Sequence, residues 1–240
     1  MGSIARRHAR RTGLQAIVAL AACATVAHAQ PTLTRADHAP VLVELFTSQG
    51  CSSCPRANAL IGALSREPNT IALTYAVGYW DYLGWRDTFA KPEFTARQKW
   101  YGQRFHHGIY TPQIVVNGVA HNNALKPGQL KTLASSAAMA GGVRVDAQVR
   151  EGHAEVTVSG AQRGAGEVWL AQYQPGEAEV AVSRGENAGV RVPHYNVVTS
   201  LQRLGAWRGG VQHYDGACAP ACAVIVQNAN GRVLTAQLAH

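Results

Sequence analysis

Gly50-Cys51-Ser52-Ser53-Cys54-Pro55 joins an apolar run, Val41–Phe46, to a segment with helical periodicity. Apolar residues recur in that segment at positions i, i+3, i+4 and i+7: Ala57, Leu60, Ile61 and Leu64. The free N–H groups and the positive dipole at the start of a helix favour a thiolate over a thiol. This position favours a reactive cysteine pair over a metal half-site or a structural bridge, which a CxxC motif alone would leave open.

Strand and helix patterns alternate up to about residue 140. After the first helix the sequence predicts a strand over Thr70–Val77, a helix from Pro92, strands over Gln113–Val116 and Val119–His121 around the hairpin signal Asn117-Gly118, and a helix from Pro127. Helical crossovers make the first two strands parallel, and the hairpin makes the last two antiparallel. The predicted order is β-α-β-α-β-β-α. The cysteines lie beyond the carboxyl end of the first strand, where open α/β sheets place their sites.

Beyond Gly142 the apolar residues follow the period of two that is typical of strands. Short apolar runs separated by turns occur at Val143–Val149, Ala154–Val158, Val168–Tyr173, Val180–Val182, Val190–Val192, Ala223–Gln227 and Val233–Leu238. Only Ser200–Trp207 has a helical pattern in this half. The predicted fold class is α/β, with one domain over residues 40–140 followed by a β-rich, sandwich-like domain over residues 143–240.

Thr111-Pro112 immediately precedes the predicted hairpin. Together with the strand, the CxxC motif, the helix and the hairpin, it makes residues 40–140 resemble the thioredoxin fold, in which a cis-proline loop faces the two cysteines. The resemblance implies that Cys51 is the exposed nucleophile and Cys54 the buried resolving thiol. It also implies that Pro112 has a cis peptide bond, presents backbone to an extended client and keeps metals off the thiols, although most X–Pro bonds are trans.

Three longer motifs are more specific: Glu44–Pro55, Tyr79–Trp85 and Tyr110–Gln113. Together they resemble an uncharacterised family of exported bacterial thioredoxin-like proteins. That family's two-part chain would also include Arg184–Asn187 and Asn196–Val198. The resemblance covers most of the chain after residue 29, and it implies the fold more strongly than the chemistry.

Glu44 interrupts the first apolar strand, where an unpaired buried carboxylate is costly. The resemblance implies a catalytic role for Glu44, because thioredoxins carry an acid in the corresponding strand that accepts a proton from the buried cysteine. The spacing from Glu44 to Cys51 is one residue longer than in thioredoxin. The alternative is a structural carboxylate that pairs with an arginine or lies at the rim of the strand.

The stretch Tyr79–Trp85 is rich in aromatic side chains. They either cover the core or form an apolar rim against which a client protein docks. On the second interpretation Trp80, Tyr82 and Thr111 are the residues that face the substrate. The polar loop Arg184–Asn187 has a similar ambiguity: we expect a hydrogen-bond network between the two domains, with a ligand or partner site as the alternative.

Cys218 and Cys222 form a second close pair. We expect a structural disulfide that closes the loop before the strand Ala223–Gln227. A second redox pair that exchanges electrons with Cys51 and Cys54 would require contact between the sulfur atoms. A four-thiolate zinc site would require the two pairs to converge, whereas a copper(I) site would use two or three of these thiols with a histidine. We expect no organic cofactor and no metal.

The first 29 residues predict a signal peptide, with a basic start, the apolar stretch Leu14–Ala22 and Ala27-His28-Ala29 as the cleavage site. The apolar stretch is too short to span a membrane as a helix. Leu20–Cys23 has the pattern of a lipoprotein cleavage box, so a lipid anchor on Cys23 is the alternative. The expected location is the periplasm or the extracellular space.

The formal charge of the chain is +8, from 22 basic and 14 acidic residues. Cleavage of the signal would remove four arginines, which leaves 18 basic against 14 acidic residues and a charge of +4. This charge is modest, and no cluster of basic residues with interleaved aromatics indicates nucleic-acid binding. No stretch after the signal is long and apolar enough to predict a membrane span.

These features predict an exported thiol–disulfide oxidoreductase that acts through the Cys51–Cys54 dithiol or disulfide. Its partners would be a client protein that bears a thiol or a disulfide, and a separate electron donor or acceptor. The alternative is a non-catalytic binding module with structural disulfides, and a copper- or zinc-binding chaperone is the third hypothesis. Ser52 and Ser53 do not determine whether the protein oxidises, reduces or isomerises its client.

Overall fold

The computed structural model describes residues 40–123, 142–161 and 166–240, together with the isolated positions 2, 129, 132 and 133. The predicted signal peptide, with Cys23, and most of the helix predicted from Pro127 lie outside the described residues. Asp37–His240 forms one compact unit. In the described parts of the chain, no helix is long and apolar enough to cross a membrane.

The described residues form a mixed α/β fold with a large sheet and few helices. The first half contains β1 (Val41–Thr47), α1 (Cys54–Leu64), β2 (Thr70–Ala76), a 3₁₀ turn (Asp81–Leu83), α2 (Pro92–Arg104), β3 (Gln113–Val116) and β4 (Ala120–Asn122). The described part of the second half contains β5 (Val143–Arg150), β6 (His153–Gly160), β7 (Gly166–Ala181), β8 (Arg191–Trp207), β9 (Gln212–Ala217), β10 (Ala221–Asn228) and β11 (Val233–Leu238).

Eight strands form one sheet in the order β11-β10-β7-β8-β2-β1-β3-β4. As predicted, β1 and β2 are parallel, and β3 is antiparallel to both β1 and β4. The sheet passes from the first half to the second where β2 lies beside β8, with Thr74 paired to Val197. The two predicted domains therefore share one sheet. A smaller sheet, β5-β6-β9, packs on the second half and gives it a two-layer, sandwich-like arrangement.

The side chains of β1 alternate between two faces of the large sheet. Val43 and Leu45 pack with the apolar side of α1. Leu42 and Phe46 point to the opposite face, where α2 packs and where residues of β7, β8, β10 and β11 complete the core. The face on which a β1 side chain lies therefore decides whether it is near the cysteine-bearing helix α1 or near α2.

The long hairpin of β7 and β8 is attached to the first half by side-chain hydrogen bonds. The Thr74 hydroxyl donates to the Tyr195 carbonyl (2.6 Å), and the Asn196 amide donates to the Ala72 carbonyl (3.0 Å). The Tyr195 ring lies so close to α1 that a Cβ at Gly62 would be 2.7 Å from it, so this position requires glycine. These contacts direct the end of the hairpin, residues 182–190, toward the turn that follows β1.

Ser200–Trp207 was predicted to be helical, and this prediction is wrong, because the segment is the last part of β8. It pairs with β7 in a register that shifts between Val168 and Trp169 and again between Gln172 and Tyr173. Such bulges break the alternation of two by which a strand is recognised in a sequence. Pairing with β7, rather than a local pattern, decides the conformation of this segment.

Candidate functional site

Cys51 and Cys54 lie at the predicted position, in the turn between β1 and α1. Their Cα atoms are 5.4 Å apart, which is compatible with a disulfide. The Cys54 N–H donates a hydrogen bond to the Cys51 carbonyl (3.1 Å). α1 begins at Cys54, with Pro55 in its first turn, where a missing N–H costs nothing. The pair therefore lies at the positive end of the α1 dipole.

Cys51 is buried in the structure, whereas the resemblance predicted an exposed nucleophile. Only 1% of Cys51 and 0% of Cys54 is exposed, although Ser52 and Ser53 between them are exposed. The Ser53 hydroxyl lies 3.3 Å from Cys51 Sγ. The backbone of the turn is contacted by two elements from elsewhere in the chain: the aromatic loop of residues 79–88 and the end of the β7–β8 hairpin.

Trp80 connects the cysteine turn to the proline loop. Its indole N–H donates a hydrogen bond to the Thr111 hydroxyl (2.7 Å), and a Cβ at Gly50 would lie 3.2 Å from the Trp80 Cβ. The Thr111-Pro112 peptide bond is cis, as predicted, and Pro112 is buried. Trp80 and Thr111 are half-buried, whereas Tyr82 is 78% exposed. The three residues predicted to face a substrate therefore differ in exposure, and hydrogen bonding connects only Trp80 and Thr111 among them.

Gln49 fixes the cysteine turn to the aromatic loop. Its side-chain oxygen accepts hydrogen bonds from the Trp85 indole N–H (2.9 Å) and the Thr88 N–H (3.2 Å). Its backbone N–H donates to the buried Asp87 carboxylate (2.7 Å), and burial raises the pKa of Asp87. Trp85 therefore supports the cysteine turn. This is a structural role, in contrast to a place on an apolar rim for a client protein.

The end of the β7–β8 hairpin also contacts the cysteine turn. The Asn187 side-chain amide donates to the backbone carbonyls of Gln49 and Cys51, both at 2.9 Å. The Ser52 N–H donates to a Glu186 carboxylate oxygen (2.9 Å), and this hydrogen bond lowers the pKa of Glu186. The Arg184–Asn187 loop therefore takes part in a hydrogen-bond network, as expected. Its partner is the cysteine turn itself, which no local sequence pattern indicated.

Glu44 lies on the face of the sheet opposite to α1. It alternates with two residues that pack with α1, and it is fully buried on the α2 side. Its carboxylate accepts hydrogen bonds from Arg97 Nε (2.7 Å) and from the Tyr101 hydroxyl (2.5 Å). Adjacent side chains of a strand point to opposite faces, so Glu44, between Val43 and Leu45, lies on the face away from α1. The geometry favours the structural alternative, and the catalytic role stays a prediction.

A buried polar network surrounds Glu44. Arg97 donates to the Tyr101 hydroxyl (3.1 Å) and to the Gln227 side-chain oxygen (3.4 Å), and the Gln227 amide donates to the Tyr101 hydroxyl (2.9 Å). The Arg97 guanidinium lies 5.8 Å from the centre of the Trp169 ring. Burial raises the pKa of Tyr101, so its hydroxyl stays protonated and donates to Glu44. Since Gln227 belongs to β10 and Trp169 to β7, the network joins the two halves of the chain.

Cys218 and Cys222 lie in a different part of the core. Their Cα atoms are 5.5 Å apart, which is compatible with a disulfide, and both residues are buried. They pack with Val156, Leu170 and Val224 between the small and the large sheet. Among the described residues no three histidine, cysteine, aspartate or glutamate side chains gather around a metal-sized site. This arrangement favours the structural disulfide over a second redox pair or a four-thiolate site.

His106 and His107 adjoin an aromatic cluster beside the proline loop. The His107 ring makes edge-to-face contacts with Tyr110 and His121, with ring centres 5.2 and 5.4 Å apart. The Tyr110 hydroxyl and His121 Nδ1 are 2.7 Å apart. Burial, with a smaller contribution from His107, lowers the pKa of His121. His107 therefore packs within this aromatic cluster.

His194 is fully buried on β8. Its Nδ1 lies 3.1 Å from the Val192 carbonyl, which can only accept, so Nδ1 carries the proton. The other ring nitrogen, Nε2, is buried without a hydrogen-bond partner among the described residues. The ring packs edge-to-face on Phe89, and burial lowers the pKa of His194 to about 4.

We expect His194 to destabilise the protein in acid. As the pH falls below the ordinary histidine pKa of 6.5, the unfolded chain binds a proton that folded His194 does not bind until about pH 4. Stability is therefore lost as the pH falls through this window, by up to about 3 kcal/mol from His194. Denaturant unfolding of the parent and of His194→Gln across the window measures the effect. His213→Gln, exposed on β9, is the control, and a His194→Gln profile parallel to that of the parent would contradict the prediction.

Residues 42–235 match a family described as a protein of unknown function, DUF1223. The match spans both halves of the fold. This chain belongs to the DUF1223 family. Its predicted membership of an uncharacterised family is thereby confirmed. The cysteine turn, the aromatic loop, the proline loop and the end of the β7–β8 hairpin all lie within the DUF1223 region.

Two solved structures resemble this DUF1223 protein. Protein AGR_C_4864 from Agrobacterium tumefaciens is 29% identical in sequence, with a TM-score of 0.71 over 85% of this chain and 95% of that chain. HBP35 of Porphyromonas gingivalis is 12% identical, with a TM-score of 0.56 over 84% of this chain and 74% of that chain, and so shows similarity of fold alone. No curated protein matches the sequence.

Proposed function

We propose that this DUF1223 protein is an exported thiol–disulfide oxidoreductase that acts through Cys51 and Cys54. The observation that carries the proposal is the position of the pair, at disulfide spacing, where β1 leads into the N-terminus of α1. The order β1-α1-β2-α2-β3-β4, with parallel and antiparallel pairs as predicted, supports a thioredoxin-like fold for the first half. The hydrogen bond from Trp80 to Thr111, which brings the proline loop to the cysteine turn, supports the same proposal.

The proposed reaction is an exchange of thiols and disulfides in two steps, and it requires no organic cofactor. In the reducing direction the Cys51 thiolate attacks one sulfur of a client disulfide, and the other client sulfur leaves as a thiolate and takes up a proton. Cys54 then loses its proton and attacks Cys51 Sγ in the mixed disulfide, which releases the second client thiolate to be protonated. Two electrons pass from the protein to the client, and the reverse sequence oxidises a dithiol client.

The surroundings of the pair have distinct proposed roles. The N-terminus of α1 stabilises the Cys51 thiolate. Pro112 presents backbone to an extended client segment, and Trp80, Thr111 and the exposed Tyr82 form the side on which the client lies. The client is a thiol- or disulfide-bearing protein in the periplasm or the extracellular space, and a separate electron donor or acceptor restores the pair after each turnover.

We expect the Cys51–Cys54 pair to have a reduction potential between about −120 and −270 mV, the range of known catalysts. The potential is measured by equilibrating the Cys218→Ala/Cys222→Ala variant with thiol–disulfide buffers and trapping the free thiols with a maleimide that adds mass. The two alanines restrict the measurement to one pair. A potential below about −300 mV would mark Cys51–Cys54 as a structural bridge and contradict the proposal.

The second candidate function is a non-catalytic binding module in which Cys51 and Cys54 form a permanent bridge. The observation in its favour is that both cysteines are buried, as expected for a bridge that takes no part in exchange. The same potential measurement separates the two functions. A value in the catalytic range shows that the pair can be opened by ordinary thiol partners, whereas a permanent bridge resists them.

A further inference from the structure

The tip of the β7–β8 hairpin, residues 183–189, is a self-contained element. Two backbone hydrogen bonds close it at its base, from the Val182 N–H to the Val190 carbonyl (3.0 Å) and from the Gly189 N–H to the Val182 carbonyl (2.9 Å). Below it, the hairpin is attached to β2 at Thr74. The hairpin tip is therefore held by its own backbone bonds and by the attachment of the hairpin to the sheet.

The hairpin tip is joined to the cysteine turn by three hydrogen bonds. Asn187 supplies two of them, to the carbonyls of Gln49 and Cys51, and Asn187 is itself only 4% exposed. Glu186 accepts the third, from the Ser52 N–H. One buried amide group therefore holds the backbone of the turn on both sides of Gly50, at a site where Cys51 itself is only 1% exposed.

Glu186 places a negative charge near the N-terminus of α1, the end of the helix that would stabilise a thiolate on Cys51. Ser52 lies in the turn just before Ser53, the N-cap of α1, so its N–H is close to the positive end of that helix. The carboxylate that accepts this N–H competes with a thiolate on Cys51 for the same positive field. Of the other charges nearby, Asp87 binds the Gln49 N–H from the aromatic loop, Arg184 lies on the tip, and Arg56 is exposed on the first turn of α1.

We propose that the hairpin tip is a redox-coupled cap on the Cys51–Cys54 pair: Asn187 keeps the turn closed over the buried Cys51, and Glu186 opposes formation of the Cys51 thiolate. This inference rests on the proposed function, because it describes how that site is regulated. Reduction of the pair adds two electrons and two protons, and ionisation of Cys51 then releases one of the protons. The charge of Glu186 disfavours that ionisation, and by linkage the thiolate weakens the hold of Glu186 on Ser52. The cap is therefore tightest on the disulfide and loosens after reduction.

The charge of the cap is tested with Glu186→Gln, which keeps the acceptor oxygen and the side-chain size. In reduced protein, the pH dependence of Cys51 alkylation by iodoacetamide reports the pKa of Cys51. We expect Glu186→Gln to lower that pKa and to shift the equilibrium with glutathione about two- to fivefold toward the reduced protein. Glu179→Gln is the matched control, because Glu179 lies on the same hairpin and pairs with Arg191 instead.

The closure of the cap is tested with Asn187→Ala. Two hydrogen bonds to the turn are lost, so we expect Cys51 to be alkylated about fivefold faster or more at a pH where it is fully ionised. The exchange rate of Asn187→Ala relative to the parent should rise more with a client-sized peptide disulfide than with a small disulfide. Only the larger molecule requires the hairpin tip to move away. If Asn187→Ala does not fold, Glu186→Gln alone decides the inference.

The cap is refuted if Glu186→Gln leaves both the pKa of Cys51 and the glutathione equilibrium equal to those of Glu179→Gln. An unchanged alkylation rate in folded Asn187→Ala would likewise refute its closure. Failure of the proposed function has a different signature. If the protein exchanges with no client disulfide but Glu186→Gln still shifts the pKa of Cys51, the cap is supported and the proposed oxidoreductase function is contradicted. If the protein exchanges normally but Glu186→Gln leaves the pKa of Cys51 unshifted, the proposed function is supported and the cap is contradicted.

Discussion

Replacing Cys51 with serine is expected to reduce thiol–disulfide exchange by at least about 1,000-fold, as for the loss of other catalytic nucleophiles. In the proposed reaction Cys54 only resolves the mixed disulfide formed on Cys51, so its presence in this variant is not expected to restore exchange. The rate is measured with a fluorescence-quenched peptide disulfide and a reducing thiol in excess. The residual rate of Cys51→Ser should equal the rate of the buffer alone.

Two variants make this result specific. The Cys218→Ser/Cys222→Ser variant should exchange within about twofold of the parent, because that pair packs in the core between the sheets and takes no part in the reaction. Cys54→Ser should instead accumulate a mixed disulfide on Cys51, because no second thiol is left to resolve it. An exchange rate in Cys51→Ser that matches the parent would exclude Cys51 as the nucleophile.

Replacing Arg97 with methionine is expected to lower the free energy of unfolding by about 3–5 kcal/mol, the usual loss when one partner of a buried ion pair is removed. The substitution leaves the Glu44 carboxylate, which is 0% exposed, without its guanidinium partner in the core. It also removes the contact of the guanidinium with Trp169 and its hydrogen bond to Gln227. Denaturant unfolding of the purified variant measures the loss.

Two comparisons isolate the buried charge as the cause. Glu44→Gln/Arg97→Met removes both charges, so it should recover a large part of the stability that Arg97→Met loses. Arg203→Met breaks the exposed Arg203–Glu167 pair, whose side chains are 50% and 37% exposed. That variant should lose less than about 1 kcal/mol. A loss in Arg97→Met no greater than in Arg203→Met would show that the Glu44 network contributes little.

The elements of the first half were predictable because each is specified by residues close to one another in sequence. The period of α1, the hairpin signal Asn117-Gly118 and Pro92 at the start of α2 each specify a local structure, and the structure contains all three at the predicted places. The position of Cys51 and Cys54 follows in the same way, since it depends only on the strand before them and the helix after them.

Contacts between distant residues were not predictable from those patterns. No local pattern showed which arginine would bind Glu44: Arg97, which also donates to Gln227, reaches it only because α2 and β10 pack on the same face of the sheet. Ser200–Trp207 is a strand because β7 lies beside it, and the bulges in that pairing remove the alternation that would have identified it.

Short-range patterns account for the local chemistry of this DUF1223 protein: two cysteines at a helix N-terminus, a Thr-Pro loop before a hairpin and a second close pair of cysteines. Only the tertiary structure decided that Cys51 is buried, that Glu44 faces away from α1, and that Asn187 and Glu186 bind the cysteine turn. The physical reason is that helix periodicity and turn signals act over a few residues. Burial and hydrogen bonding are decided instead by which distant segments share a sheet, here by β8 lying beside β2.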